Sequence, residues 1–368
     1  MLNLYSECRA NLERKLADFH ERKHCILTGR GATAMYIAYN QIVGNRGYVV
    51  MPATLCASPA YTAMASGYKT LFCDTSEETL QMSTKYLDAL LQSYSDISVI
   101  VMVHMYGRPA DVEGILALAE RYKIPVIEDA AQALGVKCGS KMAGSFGDVS
   151  VLSFGHTKIL DVGWGGALLT DDDDLYRRMK KVELDLPERP NNIHDRFNDY
   201  RYAYYTFQSE STSSSVGYES YYQLLNSFDD IYVFKFDSKW CENIEIEFSK
   251  LEGLVDKRRE NEDLYYKLLG NQEYIILIPQ IEGTVPWRFN VMLPEGRQER
   301  ITQRLRQEGW DASNWYPSLT NYFVNPEKCE SAEKIGKTIL NLWLTPDIDS
   351  DYIHGVSQSL ISLLQEDS

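Results

Sequence analysis

Asp129 ends the apolar run Val126-Ile127-Glu128-Asp129, and Lys158 lies in the stretch Ser153-Phe154-Gly155-His156-Thr157-Lys158. A carboxylate at the mouth of a buried strand can keep a heteroaromatic nitrogen protonated. A lysine amine can condense with an aldehyde, and a hydroxyl such as that of Ser153 can bind phosphate. Together these are the groups that pyridoxal phosphate chemistry requires. Either charged residue alone is also what an ordinary strand end or a solvated surface supplies. The pairing, with the signals that follow, selects the cofactor reading.

Gly29-Arg30-Gly31-Ala32-Thr33-Ala34 follows the apolar run Cys25-Ile26-Leu27 and matches the dinucleotide pattern G-x-G-x-x-A. That pattern calls for an acidic residue ending the next strand, about twenty residues on. Here the next run, Tyr48-Val49-Val50-Met51, leads into Pro52-Ala53-Thr54 and has no carboxylate. The dinucleotide reading fails its own test. Free N–H groups and the dipole of a helix start still favour an anion, so Gly31, Ala32 and Thr33 are candidates for a phosphate.

The elements that must position these residues follow from periodicity. Buried strands are expected at Cys25–Leu27, Tyr48–Met51, Thr70–Cys73, Ser98–Val103, Pro125–Ile127, Ser150–Leu152 and Ala167–Leu169. Asp111–Tyr122 has helical apolar spacing between two of them. Strands alternating with helices predict an α/β fold with a mainly parallel sheet flanked by helices. Its ligands belong beyond the C-terminal strand ends, where Asp129 lies. A large cofactor-binding domain is expected over 1–240 and a small α/β C-terminal domain over 241–368. The second opens on a long helix from Trp240 and includes a strand at Phe289–Leu293 and helices at Arg297–Glu308 and within Tyr352–Leu364. Residues 186–232 form a tyrosine-rich insertion with no clear period and a serine-rich run at Ser209–Ser215.

Composition narrows the class. The chain has 368 residues, 44% hydrophobic and 24% charged, as in ordinary globular proteins. A net charge of −15 argues against nucleic acid as a partner. No segment has the apolar length of a membrane span, and the acidic N-terminal residues lack a signal peptide's apolar stretch. A cytoplasmic location is expected. The seven scattered cysteines form no C-x-x-C pair, so neither a disulfide framework nor a metal site is indicated. Asp171-Asp172-Asp173-Asp174 reads as a turn and a negatively charged helix start.

Several motifs occur in order: Gly29-Arg30-Gly31-Ala32-Thr33-Ala34-Met35, Met51-Pro52-Ala53-Thr54, His104-Met105-Tyr106-Gly107-Arg108-Pro109-Ala110-Asp111, Glu128-Asp129-Ala130-Ala131-Gln132, Gly144-Ser145-Phe146-Gly147-Asp148, Ser153 to Lys158, and Gly165-Gly166. The series resembles the DegT/StrS family of pyridoxal phosphate-dependent sugar aminotransferases, of fold type I. The likeness is strong over 24–175 and weaker beyond 240. It implies that Asp129 pairs with the pyridine nitrogen, Gln132 contacts the ring oxygen, Ser153 binds the phosphate and Lys158 forms the internal aldimine and moves the proton. Family members that act as dehydratases carry histidine at the lysine position, so Lys158 favours transamination.

The chain departs from that pattern at three places. Cys56 stands where the family has an aromatic stacked on the cofactor ring. Trp164 replaces a carboxylate in Gly163-Trp164-Gly165-Gly166. Lys235-Phe236-Asp237-Ser238-Lys239 replaces the segment whose asparagine reaches the partner subunit's phosphate. His156, Trp164, Arg288 and Tyr316 are candidates on the substrate side, Arg288 because a guanidinium can clamp a carboxylate or diphosphate. His104 is expected to pack at a strand end.

The resemblance implies transfer of an amino group from glutamate or glutamine to a keto group, foremost on a nucleotide-linked sugar, by a homodimer with shared sites. The departures leave two alternatives open: a non-sugar keto substrate, or a cofactor-binding sensor.

Overall fold

The computed structural model describes residues 2–42, 46–211 and 218–366; the Thr212–Ser215 part of the serine run lies outside them. The strands of the first unit are β1 (His24–Thr28), β2 (Tyr48–Pro52), β3 (Lys69–Cys73), β4 (Ile97–Val103) and β5 (Val126–Asp129). A small hairpin, β6 (Lys137–Cys138) and β7 (Lys141–Met142), precedes β8 (Val149–Ser153) and β9 (Gly166–Thr170). Runs rich in Val, Ile and Leu, such as Ile97-Ser98-Val99-Ile100-Val101-Met102-Val103, suit strands covered on both faces.

Seven strands form one sheet in the order β1-β9-β8-β5-β4-β2-β3. The β2–β3, β2–β4, β4–β5 and β5–β8 pairs are parallel, and β9 runs antiparallel to both β8 and β1. The mainly parallel α/β sheet read from the sequence is therefore present, with one strand reversed near its edge. Register places Val103 beside Asp129, and Ser153 and Thr28 both opposite Gly166. The ends of β1, β4, β5 and β8 thus share one edge of the sheet.

Thirteen α-helices occur among the described residues. The first five are α1 (Leu2–Phe19), α2 (Gly31–Ile42), α3 (Ala57–Ala65), α4 (Thr84–Ser93) and α5 (Val112–Tyr122). α6 (Asp173–Asp185) starts at the acidic run, where the Asp172 side chain caps the N–H groups of Asp174 and Leu175. α7 (Ile193–Ser211) and α8 (Tyr218–Asn226) are built from the tyrosine-rich insertion. Its period escapes a simple apolar count because the stripe is aromatic: Phe197, Tyr200, Tyr204 and Phe207 recur at helical spacing.

The single long helix expected from Trp240 is two, α9 (Cys241–Ser249) and α10 (Leu251–Leu269), with Lys250 between them outside helical geometry. Cys241, Ile244, Leu251 and Val255 share a core with Leu12 and Leu16 of α1, while Tyr265 and Leu269 join the C-terminal core. That second core surrounds a four-stranded antiparallel sheet, β10 (Ile276–Leu277), β11 (Phe289–Met292), β12 (Ala312–Ser313) and β13 (Ile339–Leu342), ordered β10-β11-β13-β12. α11 (Gln298–Gln307), α12 (Glu330–Thr338) and α13 (Ser350–Glu366) complete the chain.

Candidate active site

The shared strand edge gathers most of the residues singled out by chemistry. Asp129 is buried at the end of β5, and its Oδ1 accepts the Ala131 N–H at 3.0 Å. Burial pushes its carboxyl pKa up, while the Ala131 N–H and the Lys158 charge pull it down. Cys56, just before α3, has its thiol pKa raised by burial, with Lys158 lowering it and Asp129 raising it. The thiol and the carboxylate thus both lie within electrostatic reach of the Lys158 amine. Lys158 is partly buried.

The loop that carries Lys158 is fixed by its own backbone. Asp161 accepts the N–H groups of Thr157 at 2.7 Å and Gly163 at 2.9 Å, and Thr157 adopts φ +66°. Asp161 is a residue that motif reading missed. α2 begins at Gly31, and the first-turn N–H groups of a helix have no intrahelical acceptors. A Cβ on Gly31 would stand 2.9 Å from Ser153 Cβ and 3.1 Å from Ser153 Oγ, so only glycine lets the helix start meet that hydroxyl. The Thr33 hydroxyl is turned away and donates to the Tyr232 carbonyl at 2.8 Å, which leaves Thr33 its backbone N–H for an anion.

Gln132 is held at both ends. Its Oε1 accepts the Tyr106 N–H at 2.9 Å, and its Nε2 donates to the Tyr316 hydroxyl at 3.0 Å. Tyr106, at φ +61°, also donates its hydroxyl proton to the Trp315 carbonyl at 3.0 Å. Its role was hidden in the His104–Asp111 motif.

Beneath this layer Glu128 is a fully buried carboxylate with four partners: His104 Nε2 at 2.8 Å, the N–H groups of Gly144 and Phe146 at 2.6 and 2.8 Å, and Ser150 Oγ at 2.7 Å. Burial opposes its charge, but His104 and the other donors outweigh it and hold its pKa below the ordinary value. The Ala110 N–H donates to His104 Nδ1 at 3.0 Å, which orients the ring to donate through Nε2.

Three of the substrate-side candidates lie around the margin of this cluster, Arg288 within electrostatic reach of Tyr316. His156 is exposed, 3.6 Å from Asp161 through Nδ1. Trp164 is stacked on Trp240, edged by His194 and packed against a tilted Phe197, with Arg189 5.2 Å from its ring. Arg288 is buried between Trp287 and Trp343, 4.7 and 4.0 Å from their rings, and donates to the Trp287 carbonyl at 3.0 Å. Tyr316 alone of the four touches the cofactor-side residues, through Gln132. In the Lys235–Lys239 segment, Asp237 accepts the Lys239 N–H in its own turn, and Lys235 pairs with Glu188.

The donor set fits pyridoxal phosphate: an anion cradle at Gly31, Ala32, Thr33 and Ser153, a buried carboxylate, a fixed amide and an amine. Among the described residues there is no group of three or more His, Cys, Asp or Glu residues arranged to hold a metal ion. None of the described helices is long and apolar enough to cross a membrane.

Comparison with known proteins places these features in context. The model of the DegT/DnrJ/EryC1/StrS aminotransferase family matches residues 4–207. The L-glutamine:2-deoxy-scyllo-inosose aminotransferase of Streptomyces fradiae is 31% identical over 173 residues, 47% of this chain and 40% of that protein. GDP-perosamine synthase of Caulobacter vibrioides is 33% identical over 169 residues, 46% of this chain and 45% of its own length. These two matches span less than half of each relative. A pleiotropic regulatory protein of Geobacillus stearothermophilus is 25% identical over 351 residues, 92% of this chain and 85% of that one. In fold, the chain resembles Helicobacter pylori PseC, an aminotransferase of pseudoaminic acid biosynthesis (TM-score 0.80, 17% identity, covering 98% of this chain and 91% of that one). It also resembles an E. coli GDP-4-keto-6-deoxy-D-mannose-3-dehydratase with bound hydrated PLP (TM-score 0.75, 14% identity, covering 96% and 91%).

Proposed function

The chain belongs to the DegT/DnrJ/EryC1/StrS aminotransferase family, and from that premise we propose that it transfers an amino group from glutamate or glutamine to the keto group of a sugar or sugar-like ring. The observation that carries this reading is that Asp129 and Cys56 both lie within electrostatic reach of Lys158, while the α2 start at Gly31 packs against Ser153. The family's cofactor is pyridoxal phosphate, and when bound it supplies an electron sink beside the reacting carbon.

Each residue has a defined task. The α2 N-terminus and Ser153 Oγ would hold the cofactor's phosphate, and Asp129 would keep a proton on its ring nitrogen. Gln132 has one amide hydrogen committed to Tyr316 and a second left for the ring oxygen. The Lys158 amine takes a proton from the donor's α-carbon and returns one at the acceptor carbon. The donor leaves as an oxo acid and the acceptor gains the amine. One water enters in the first half and one leaves in the second, so no outside oxidant or reductant is needed. Such alternation predicts ping-pong kinetics. The working form we take to be a homodimer with sites at the interface.

The test is an absorption spectrum of the purified protein with added pyridoxal phosphate, before and after glutamate or glutamine, beside Lys158→Ala. A visible band that bleaches with donor only in the wild type supports the reading. A band that never responds to a donor favours a regulatory protein built on the same cofactor site. That second reading is motivated by the near full-length likeness to the Geobacillus regulatory protein. Absence of any band would overturn both.

A further inference from the structure

We propose that Tyr106 is a positioning residue whose hydroxyl locks the C-terminal unit onto the cofactor side and so aims Gln132 and Tyr316 for the transfer. The inference rests on the aminotransferase reading above and adds a residue to it. Tyr106 follows β4 and is fully buried, with φ +61° and ψ +19°. Left-handed backbone is unfavourable for a residue that carries a Cβ. Bonds on each of its polar groups hold it there. Its N–H donates to Gln132 Oε1 at 2.9 Å, and its carbonyl accepts the Trp287 N–H at 3.0 Å. Its hydroxyl donates to the Trp315 carbonyl and accepts the Tyr316 N–H, both at 3.0 Å.

These bonds close into a circuit. Tyr106 N–H meets Gln132, Gln132 Nε2 meets the Tyr316 hydroxyl, and the Tyr316 N–H returns to the Tyr106 hydroxyl. Tyr106 and Gln132 belong to the first unit, whereas Trp315 and Tyr316 lie 209 and 210 positions beyond Tyr106. The next residue adds a second tie, since the Gly107 carbonyl accepts the Val285 N–H at 2.9 Å. A Cβ on Gly107 would stand 1.9 Å from the Val285 carbonyl oxygen, so the two segments meet at the closest approach backbone allows. Trp287 passes the tie on to the Thr157 carbonyl, beside Lys158.

Ring packing alone does not call for a tyrosine. The Tyr106 ring lies tilted, 6.1 Å from Trp287 and 6.2 Å from Tyr316, and phenylalanine would fill the same space. The hydroxyl does what phenylalanine could not, by satisfying a backbone carbonyl and a backbone N–H at once. Burial raises its pKa, so it stays neutral and keeps the proton it gives to Trp315. Gln132 has for the cofactor's ring oxygen only the amide hydrogen that Tyr316 leaves free. A shift of residues 315–316 therefore turns that amide off its line.

The experiment compares Tyr106→Phe, Tyr316→Phe and the double variant with wild type, each loaded with pyridoxal phosphate. Tyr316→Phe cuts the circuit at its far side and leaves both bonds of the Tyr106 hydroxyl in place. The visible band is titrated with pH, and the apoproteins are melted. A donor at the ring oxygen favours the more negative, high-pH form, so losing its aim should raise the midpoint by about 0.5 pH unit or more in either single variant. The double variant should move it no further than the larger single shift, because both act through one circuit. kcat should fall roughly tenfold in Tyr106→Phe. A lowered melting temperature with an unmoved midpoint would make Tyr106 a purely structural residue and overturn the inference, as would additive shifts. Either result leaves the aminotransferase reading standing, whereas a wild type that forms no visible band removes that reading itself.

Discussion

The indole N–H of Trp287 donates a 2.6 Å hydrogen bond to the carbonyl of Thr157, the residue just before Lys158. The two are 130 positions apart in the chain. Trp287 comes two residues before β11 and is stacked on Tyr316 at 5.9 Å. One side chain of the C-terminal unit thus touches both the lysine loop and the ring of Tyr316, the hydrogen-bond partner of Gln132.

Trp287→Phe should keep much of the ring packing but leave the Thr157 carbonyl without its donor. A lost partly buried hydrogen bond costs about 1–3 kcal/mol. If the bond aims Lys158, kcat should fall by roughly tenfold while the donor KM changes little. Urea unfolding and steady-state kinetics measure the two effects. An unaltered kcat would assign the aim of the loop to Asp161 alone.

Gly31→Ala places a methyl group 2.9 Å from Ser153 Cβ. The helix start must back away from the hydroxyl, and the anion cradle widens. Affinity for pyridoxal phosphate should drop by roughly tenfold or more, since a single charge-assisted hydrogen bond is worth about 1.5–3 kcal/mol. Titrating the apoprotein with cofactor and following absorbance reads this directly. Undiminished affinity would move the phosphate elsewhere.

Glu128→Gln tests the buried network. A carboxylate held below its ordinary pKa gives stability that is full above the unfolded value and is lost as pH falls through the folded one. For Glu128 that loss should run downward from roughly pH 5. The variant should melt lower than wild type at neutral pH, and the difference should shrink towards acid. A difference that stays constant with pH would mean that packing, not charge, holds the cluster.

Asp129→Asn should behave in the opposite sense. Burial raises this carboxyl pKa, so charging it costs stability in the fold, and the cost grows as pH rises through the shifted value. The apoprotein of the variant should be at least as stable as wild type at neutral pH and gain nothing in acid. Activity should fall by about 100-fold or more, because the ring nitrogen loses its anionic partner. Melting curves at two pH values and transamination assays separate the two effects. A variant with full activity would remove Asp129 from the mechanism.

Much of the cofactor side was legible in the sequence because each piece is local. A strand end, a glycine-rich helix start and a lysine loop each announce themselves within a few residues. The insertion was not legible as helical because its buried stripe is tyrosine and phenylalanine set among charged residues, which mutes an apolar period. Arg288 looked available as an anion clamp, yet tertiary packing seats it between two tryptophans.

By itself, then, the sequence determined the alternation of strands and helices and the presence of Asp129, Ser153 and Lys158 in a suitable order. Local sterics and hydrophobic period suffice for that. Only the tertiary structure decided which residues meet. Sheet order puts β5 beside β8 and β4, which brings Asp129 near Lys158 and Cys56. Gln132 finds Tyr316 184 positions away, and α7 and α8 close over the same edge. Such contacts depend on how whole layers pack to bury their apolar faces, which no short window of residues can encode.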